Sequence, residues 1–323
     1  MKLTREQIVS VAFGALEIRD EENGLRFMRC TDNQIAPYKE SKQNCTLSSS
    51  GVRLDFHTDS TTISFDAEGA TVYEVMVDNL MVGHYDLKEY HEKGDKLVHK
   101  LPAGEKRVTL LFPILGEETW LKYVELDDGA TLVPHKYGEK KLYFIGDSIT
   151  QGYAAIYNFV ALPHAVSRRF NVDFVSSGVG GWHFDPRNVD KVPYDADYAI
   201  VILGTNNWNG SKFTGTTMEQ YKETLVKFMD KFADCFPNAK TVIVSPIWRG
   251  DGTEMRPMGT FDEATEAIRE CAVAHDFLFI DGLKLVPPYP EFLQDRRIHP
   301  NDIGFMVYGE RLCQELEKII ELY

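Results

Sequence analysis

The chain has 323 residues and a net charge of −14 at pH 7, with 49 acidic and 35 basic side chains. An acidic protein is disfavoured as a partner of nucleic acid or of anionic membranes, because both bind basic surfaces. No stretch reaches the ~18 apolar residues of a spanning helix, and the amino-terminal residues do not have the pattern of an export signal. We therefore expect a cytoplasmic protein, long enough for two domains with their own cores.

The cysteines and the scattered histidines do not suggest cross-links or metal sites. The five cysteines are odd in number, widely spaced and without a CxxC pair, so we expect reduced, buried thiols at 30, 45, 235, 271 and 313. Four histidines fall among predicted turns, where solvated surface is a commoner role than metal binding: His84, His91, His99 and His135. We expect neither a metal nor a cofactor.

Residues 1–136 have the pattern of an all-β domain. Short segments that alternate apolar and polar residues are separated by turns such as Lys-Gly-Asp and Ala-Gly-Glu. The predicted strands are 52–57, 62–66, 71–77, 80–87, 96–101, 107–113 and 121–126. This spacing predicts a β-sandwich or jelly roll.

After Gly138 strands alternate with helices, so residues 137–323 form a second predicted domain. Such alternation indicates βαβ units and a mostly parallel sheet, that is, an α/β fold. The predicted strands are 142–145, 172–175, 198–203, 241–245 and 277–280, and the predicted helices are 158–170, 218–236, 261–275 and 301–322.

Four motifs stand at the ends of predicted strands. Residues 146–153, Gly-Asp-Ser-Ile-Thr-Gln-Gly-Tyr, place Ser148 directly after a buried strand. The later motifs are Gly178-Val-Gly-Gly181, Gly204-Thr-Asn206 and Asp295-Arg-Arg-Ile-His299. In an open parallel sheet the ligand crevice lies beyond the carboxyl ends of the strands, so Ser148, Gly181 and Asn206 are expected to converge.

In this order the motifs resemble those of the SGNH (GDSL-like) hydrolases. The resemblance implies a three-layer, flavodoxin-like α/β fold and ester hydrolysis at a serine. It implies that Ser148 is the nucleophile and an oxyanion donor through its backbone N–H, that His299 is the general base, and that Gly181 and Asn206 donate to the same oxyanion. A β-sandwich placed before such a domain also resembles the arrangement of some bacterial carbohydrate esterases.

The chain departs from the family pattern next to His299. The family's aspartate lies three residues before the histidine, where this chain has Arg296, and Asp295 lies four before it. Either a small bulge directs Asp295 to the imidazole and turns Arg296 and Arg297 outward or toward acidic neighbours, or a backbone carbonyl orients the ring. We favour the triad, because a site that needs a carboxylate has one close to the required place.

Each motif also has a structural interpretation. Gly-Asp-Ser and Gly-Thr-Asn are ordinary turn sequences, and His299 precedes a Pro and an Asn that suit a helix start. Asp147 is interpreted as structural, bonding amides around Ser148. The glycines at 178–181 do not complete a dinucleotide-binding pattern, because its third glycine would fall at His183.

The substrate is inferred from aromatic residues near the motifs. Trp182, Trp208 and Trp248 follow strand ends and are predicted to line a cleft that suits sugar rings. The sequence thus predicts a serine esterase that removes acetyl groups from carbohydrates and takes a small-molecule or oligosaccharide ester. The alternatives are a lysophospholipase, thioesterase or general short-chain esterase, and a non-catalytic glycan-binding protein. The sequence does not indicate an oligomeric state.

Overall fold

The computed structural model describes residues 1–41, 44–116 and 118–322. Its amino-terminal part is built of antiparallel strands: β1 (Ala12–Phe13), β2 (Glu17–Glu21), β3 (Gly24–Met28), β4 (Arg53–Thr58), β5 (Thr62–Gly69), β6 (Val72–Val77), β7 (Leu80–Asp86), β8 (His99–Lys100), β9 (Lys106–Leu111), β10 (Thr119–Leu126) and β11 (Val133–Pro134). One sheet has the order β1-β4-β9-β6-β7 with β11 beside β4, and the other has the order β2-β3-β10-β5-β8. The two sheets share one apolar core, which confirms the predicted all-β sandwich.

All seven predicted strands of this domain are present, but the domain is not entirely β. It also contains the helices α1 (Arg5–Ser10), α2 (Asp32–Ile35) and α3 (Leu87–Lys93). Both α1 and α2 begin with a capping box, in which Thr4 or Thr31 exchanges hydrogen bonds with a glutamine three residues later. That Thr-x-x-Gln signal is in the sequence, so the prediction was wrong where these helix starts were overlooked.

The carboxyl-terminal part contains a five-stranded parallel sheet in the order β13-β12-β14-β15-β16. Its strands are β12 (Lys141–Gly146), β13 (Asp173–Gly178), β14 (Tyr198–Ile202), β15 (Lys240–Val244) and β16 (Leu278–Ile280). Its helices are α4 (Ser148–Gln151), α5 (Leu162–Phe170), α6 (Thr205–Thr214), α7 (Met218–Cys235), α8 (Phe261–Ala274) and α9 (Asp302–Ile319). Single-turn 3-10 helices occur at Ala36–Tyr38, Cys45–Leu47, Asn158–Val160, Pro186–Asn188, Gly282–Lys284 and Pro290–Phe292.

The sheet is covered on both faces, because alternate side chains of each strand enter different cores. Leu142 and Phe144 of β12 pack with α5 and α9, whereas Tyr143 and Ile145 pack with α7 and α8. The predicted three-layer α/β fold is therefore confirmed. The strand order reverses on either side of β12, so the crevice expected for a ligand lies at the carboxyl ends of β12, β13 and β14.

Helix α6 was not predicted, and its sequence explains why. Residues 205–214 contain three Asn, two Thr or Ser in addition to the initial Thr205, and one Gly, all poor helix formers. Tertiary packing compensates, since Trp208 and Ser211 of this helix are buried. The next difference is at α5, which begins at Leu162 rather than at 158 because the preceding residues form a 3-10 turn.

The alternation in β4 had suggested one buried face, but both faces are buried. Arg53 and Asp55, on the polar face, are almost inaccessible to solvent because this face packs against the α/β domain. The Arg53 guanidinium lies 2.7 Å from Asp173 of β13 and 4.2 Å from the ring centroid of Phe174. The two domains therefore contact each other directly through a charged, fully paired surface.

All five cysteine thiols are free, as predicted, and those of Cys30, Cys271 and Cys313 are buried. No helix among the described residues has the length and apolar character needed to cross a membrane.

Candidate active site

The turn after β12 presents Ser148 at the edge of the sheet. Asp147 caps α4, its Oδ1 accepting a hydrogen bond from the Ile149 N–H at 2.9 Å, and Ser148 is the first residue of the helix. A Cβ at position 146 would lie 2.0 Å from Thr150 Oγ1, so only glycine allows this tight connection. Ser148 is 8% exposed, which leaves its hydroxyl accessible from one side.

A hydrogen-bond chain joins this serine to two residues near the start of α9. Ser148 Oγ lies 3.1 Å from His299 Nε2, and His299 Nδ1 lies 2.7 Å from Asp295 Oδ2. When the proton is on Nδ1, that nitrogen donates to the carboxylate and Nε2 accepts from the serine. This is the arrangement in which an imidazole serves as a general base for a hydroxyl.

The four-residue spacing between Asp295 and His299 is accommodated by the backbone. Arg296 has a φ of +55°, a left-handed conformation that reverses the chain within the loop. Asp295 Oδ1 then accepts hydrogen bonds from the backbone N–H groups of residues 297, 298 and 299, at 2.9, 2.7 and 3.1 Å. The bulge leaves Oδ2 free for the imidazole.

The two arginines of the loop point to acidic neighbours, as expected for a bulge. Arg296 pairs with Glu291 at 3.2 Å, and Arg297 pairs with Asp251 at 2.6 Å. Each guanidinium is thus paired with another carboxylate, and among the described residues neither binds the Asp295 carboxylate that His299 uses.

Asp295 is held in its ionised form. Partial burial raises its pKa, but hydrogen bonds from the Ile298 N–H, the His299 side chain and the neighbouring amides outweigh burial, and the pKa lies below its ordinary value. An ionised carboxylate is the form that accepts a hydrogen bond from the Nδ1–H group of the imidazole.

Gly181 and Asn206 lie on the two sides of Ser148 at the strand ends. Gly181 follows β13, is exposed, and has a φ of +85°, which favours glycine. A Cβ there would meet nothing within 4 Å, so its conformation rather than crowding by the protein requires glycine. The amide of Asn206, in the first turn of α6, donates to the Trp182 carbonyl at 2.8 Å and keeps a second N–H for another acceptor.

Both residues line a cavity of about 600 Å³ whose walls combine polar and apolar side chains. Its side-chain donors and acceptors include His183, Asp185, Arg187, Asn207, Thr214 and Thr216. One wall carries an ion pair, in which the Arg187 guanidinium donates to Asp185 Oδ2 at 2.6 and 2.9 Å and to Oδ1 at 3.1 Å.

The prediction of an aromatic cleft is wrong for two of the three tryptophans. Trp182 and Trp208 are 1% and 0% exposed and belong to the core between the sheet, α7 and α8, so neither offers a ring face to a ligand. Trp248 is partly exposed, but it packs against the opposite core and its Nε1 donates to the Pro287 carbonyl at 2.6 Å.

Trp208 is covered by a buried cluster of charges that the sequence did not reveal. The guanidinium carbons of Arg256 and Arg249 lie 3.6 and 4.8 Å from the indole centroid. Both arginines, and Arg297 from the His299 loop, bind Asp251. Burial raises the pKa of this carboxylate, but the hydrogen bonds and charges of Arg249 and Arg297 outweigh burial, and the pKa is about 2. The cluster thus ties the loop after β15 to the loop that carries His299.

Tyr153 contacts His299, and this contact was not predicted from the sequence. Its ring packs edge-on against His299, with centroids 4.8 Å apart, and its side chain is half exposed at the mouth of the site. No group of three or more His, Cys, Asp or Glu side chains within residues 1–41, 44–116 and 118–322 has the arrangement of a metal site.

The chain belongs to the GDSL-like lipase/acylhydrolase family, whose model matches residues 144–306. A search of curated proteins gave no match. Among solved structures, the salicylyl-acyltransferase SsfX3 of a tetracycline biosynthetic pathway is similar with a TM-score of 0.76 at 20% identity, over 97% of this chain and 96% of that chain. A putative GDSL-like lipase from Bacteroides ovatus has a TM-score of 0.72 at 17% identity, over 99% and 97%.

An active-site mutant of a family two carbohydrate esterase from Clostridium thermocellum has a TM-score of 0.68 at 15% identity, over 95% of this chain and 97% of that chain. These similarities extend over both domains, so the arrangement of a β domain before the α/β domain is shared. At such identities they establish the fold and not the substrate.

Asp147, which lies against Ser148, provides a pH-dependent test of the site's electrostatics. Burial raises the pKa of its carboxyl to about 7, although backbone hydrogen bonds and Arg249 oppose the shift. Between pH ~4 and ~7 the folded protein keeps a proton that the unfolded chain releases, so this group lowers stability progressively as the pH rises.

We predict that Asp147→Asn, which keeps the capping oxygen and cannot ionise, removes this loss. Relative to the parent protein, its free energy of unfolding should rise with pH by up to about 1.4 kcal/mol per pH unit between pH ~4 and ~7. Urea denaturation at several pH values measures this difference. A difference that stays constant across the window would contradict the prediction.

Proposed function

We propose that this protein is a serine esterase that removes small acyl groups, above all acetyl, from carbohydrates. The observation that carries the proposal is the hydrogen-bond chain from Ser148 through His299 to Asp295, in a member of the GDSL-like hydrolase family. A serine hydroxyl is a weak nucleophile until a base accepts its proton. In this hydrogen-bond chain His299 is the base and Asp295 is the group that orients it.

The reaction proceeds in two halves. Ser148 Oγ attacks the ester carbonyl carbon while His299 Nε2 takes its proton; the tetrahedral intermediate then collapses as the imidazolium returns the proton to the leaving sugar oxygen. Water, deprotonated by the same nitrogen, attacks the acyl-serine, and the second intermediate collapses as the imidazolium returns the proton to Ser148 Oγ and the carboxylic acid leaves. In both halves Asp295 holds the neutral imidazole in the required tautomer and stabilises the imidazolium that forms.

The negative oxygen of each intermediate needs donors that are already in place. In our proposal these are the backbone N–H groups of Ser148 and Gly181 and the second side-chain N–H of Asn206. Removing one such donor typically costs about 3–4 kcal/mol of transition-state stabilisation. Open space surrounds the position of a Cβ at the left-handed Gly181, and the Trp182 carbonyl fixes the direction of the Asn206 amide.

The cavity next to Gly181 and Asn206 supports a carbohydrate as the alcohol part of the ester. Hydroxyl-rich ligands need donors and acceptors on several sides, and this cavity provides amides, hydroxyls and an ion pair beside its apolar side chains. The acyl chain of a lysophospholipid or long-chain thioester would not use these polar groups, which is why those alternatives are less well supported. The fold-level similarity to carbohydrate esterases agrees with this choice.

The substrate is tested by mass spectrometry of acetylated xylo- and manno-oligosaccharides after incubation with the protein. We expect loss of acetyl groups, and nitrophenyl acetate to be hydrolysed faster than nitrophenyl esters of longer acids. Preference for long acyl chains without deacetylation of the sugars would support a lipase-like enzyme. No turnover of any ester would support the non-catalytic, glycan-binding alternative.

Ser148→Ala and His299→Ala should each lower kcat by about 10⁴-fold or more, and the double variant should be scarcely worse, because the two residues act as a unit. Steady-state kinetics on nitrophenyl acetate measure all three variants. Multiplicative losses in the double variant would mean that the two residues have separate roles. More than about a tenth of the activity in Ser148→Ala would exclude the serine mechanism.

Asp295→Asn should lower kcat by up to about 10⁴-fold, because an amide favours the wrong imidazole tautomer. Glu291→Gln is the matched control: it removes a carboxylate that binds Arg296 in the same loop and does not bind His299 in the structure. We expect the control to retain nearly full activity. A loss below about tenfold in Asp295→Asn would mean that a backbone carbonyl is enough to orient the ring.

A further inference from the structure

Arg29, which follows the last residue of β3 in the β domain, lies completely buried beneath the loop that carries Gly181. All five of its N–H donors are used. They go to the Ser48 carbonyl at 2.6 Å, the Ser176 and Gly178 carbonyls at 2.9 and 2.7 Å, the Cys45 carbonyl at 2.8 Å and Ser48 Oγ at 2.7 Å.

Every one of these acceptors is neutral, which is unusual for a buried cation. Burying a charge costs several kcal/mol unless a counter-charge or a full set of hydrogen bonds compensates. Burial accordingly lowers the pKa of Arg29. A side chain held at this cost, with its donors directed at the carbonyls of a strand end, fixes the position of that strand end.

The same network reaches the helix of Ser148. Ser48 Oγ accepts from Arg29 and also from Gln151 Nε2, at 3.2 Å, and Gln151 Oε1 accepts from the Gly180 N–H at 2.8 Å. Ser50 Oγ donates to the Gln151 carbonyl at 2.7 Å. Two backbone groups that precede Gly181 are therefore held by side chains that both bind Ser48. Arg29 binds the carbonyl of residue 178, and Gln151 binds the N–H of residue 180.

Gly181 itself has little to hold it, since it is exposed and open space surrounds the position of a Cβ. We propose that Arg29 is a positioning residue, through which the β domain sets the direction of the Gly181 N–H toward the reacting oxygen. The inference rests on the proposed oxyanion role of Gly181, and it assigns a catalytic purpose to the amino-terminal domain.

Arg53, the first residue of β4, provides a matched control because its side chain also binds β13. It is also a buried arginine of the β domain, but it binds Asp173 at the opposite, amino-terminal end of β13, away from the site. If the β domain acted only by docking, lysine at either position would have the same effect on activity. If Arg29 positions Gly181, only the variant at the carboxyl end of the strand will change catalysis.

The experiment compares Arg29→Lys with Arg53→Lys in the full chain. Lysine keeps the charge but has three donors on one atom, so it does not satisfy five carbonyl and hydroxyl acceptors. We expect kcat on nitrophenyl acetate to fall about 10²-fold in Arg29→Lys with KM little changed, because small misplacements of catalytic groups cost that much. Affinity for a boronic acid, which forms a tetrahedral adduct on the serine, should fall with kcat, and Arg53→Lys should change neither.

Hydrogen exchange of residues 178–183 gives a readout that does not depend on turnover. The amides of Val179, Gly180 and Trp182 are hydrogen-bonded and so are protected from exchange. These amides should exchange at least about tenfold faster in Arg29→Lys, whereas their exchange rates in Arg53→Lys should equal those of the parent protein. Ser48→Ala, which removes the shared acceptor and little volume, should give the same changes in smaller measure if Arg29→Lys does not fold.

Equal kcat losses in the two lysine variants, or unchanged exchange of residues 178–183 in both Arg29→Lys and Ser48→Ala, would overturn the inference. A parent protein that hydrolyses no ester would instead refute the proposed function, and the exchange comparison would still decide whether Arg29 positions the loop.

Discussion

The parallel pairing of β12 with β13 on one side and β14 on the other is the constraint on which the site depends. In this register Gly146 lies opposite both Gly178 and Ile202, so the three strands end at one level. The turns that leave them begin at the same edge of the sheet. Backbone pairing of the core strands thus brings Ser148, Gly181 and Asn206 to one edge of the sheet.

His299 does not follow a strand of the sheet, and a compact loop before α9 holds it in position instead. The Gln294 N–H donates to the His299 carbonyl at 2.7 Å, and Leu293 forms a β-bridge with Pro300. Gly304, in the first turn of α9, packs so closely that a Cβ would lie 2.2 Å from the Phe292 carbonyl oxygen. The loop is thus closed on itself and anchored to a helix, which delivers the imidazole to Ser148 across a sequence separation of 151 residues.

The fold class and the candidates Ser148 and His299 could be predicted from the sequence, because short motifs at the ends of the parallel strands, in their order along the chain, indicate the fold and the site together. The sequence did not allow α6 to be predicted, since its residues are weak helix formers and the helix depends on tertiary packing, with Trp208 and Ser211 buried. The tryptophans were misjudged because proximity to a motif along the chain does not tell which face of a strand end a side chain occupies. Arg29 had no local signal, because two of its acceptors are carbonyls of the distant strand β13. The link from Asp251 to the loop of His299 had none either, because it depends on Arg297, 46 residues further along the chain.

The central claim is that Ser148 becomes acylated during turnover, and it is tested most directly by quenching the protein with acid during hydrolysis of nitrophenyl acetate and mapping the modified peptide by mass spectrometry. The account predicts one acetyl group on Ser148, accumulating in a protein with His299→Ala only very slowly and absent when Ser148 is replaced by alanine. Release of acetate in the parent protein with no acyl group on Ser148, or acylation at another side chain, would contradict it.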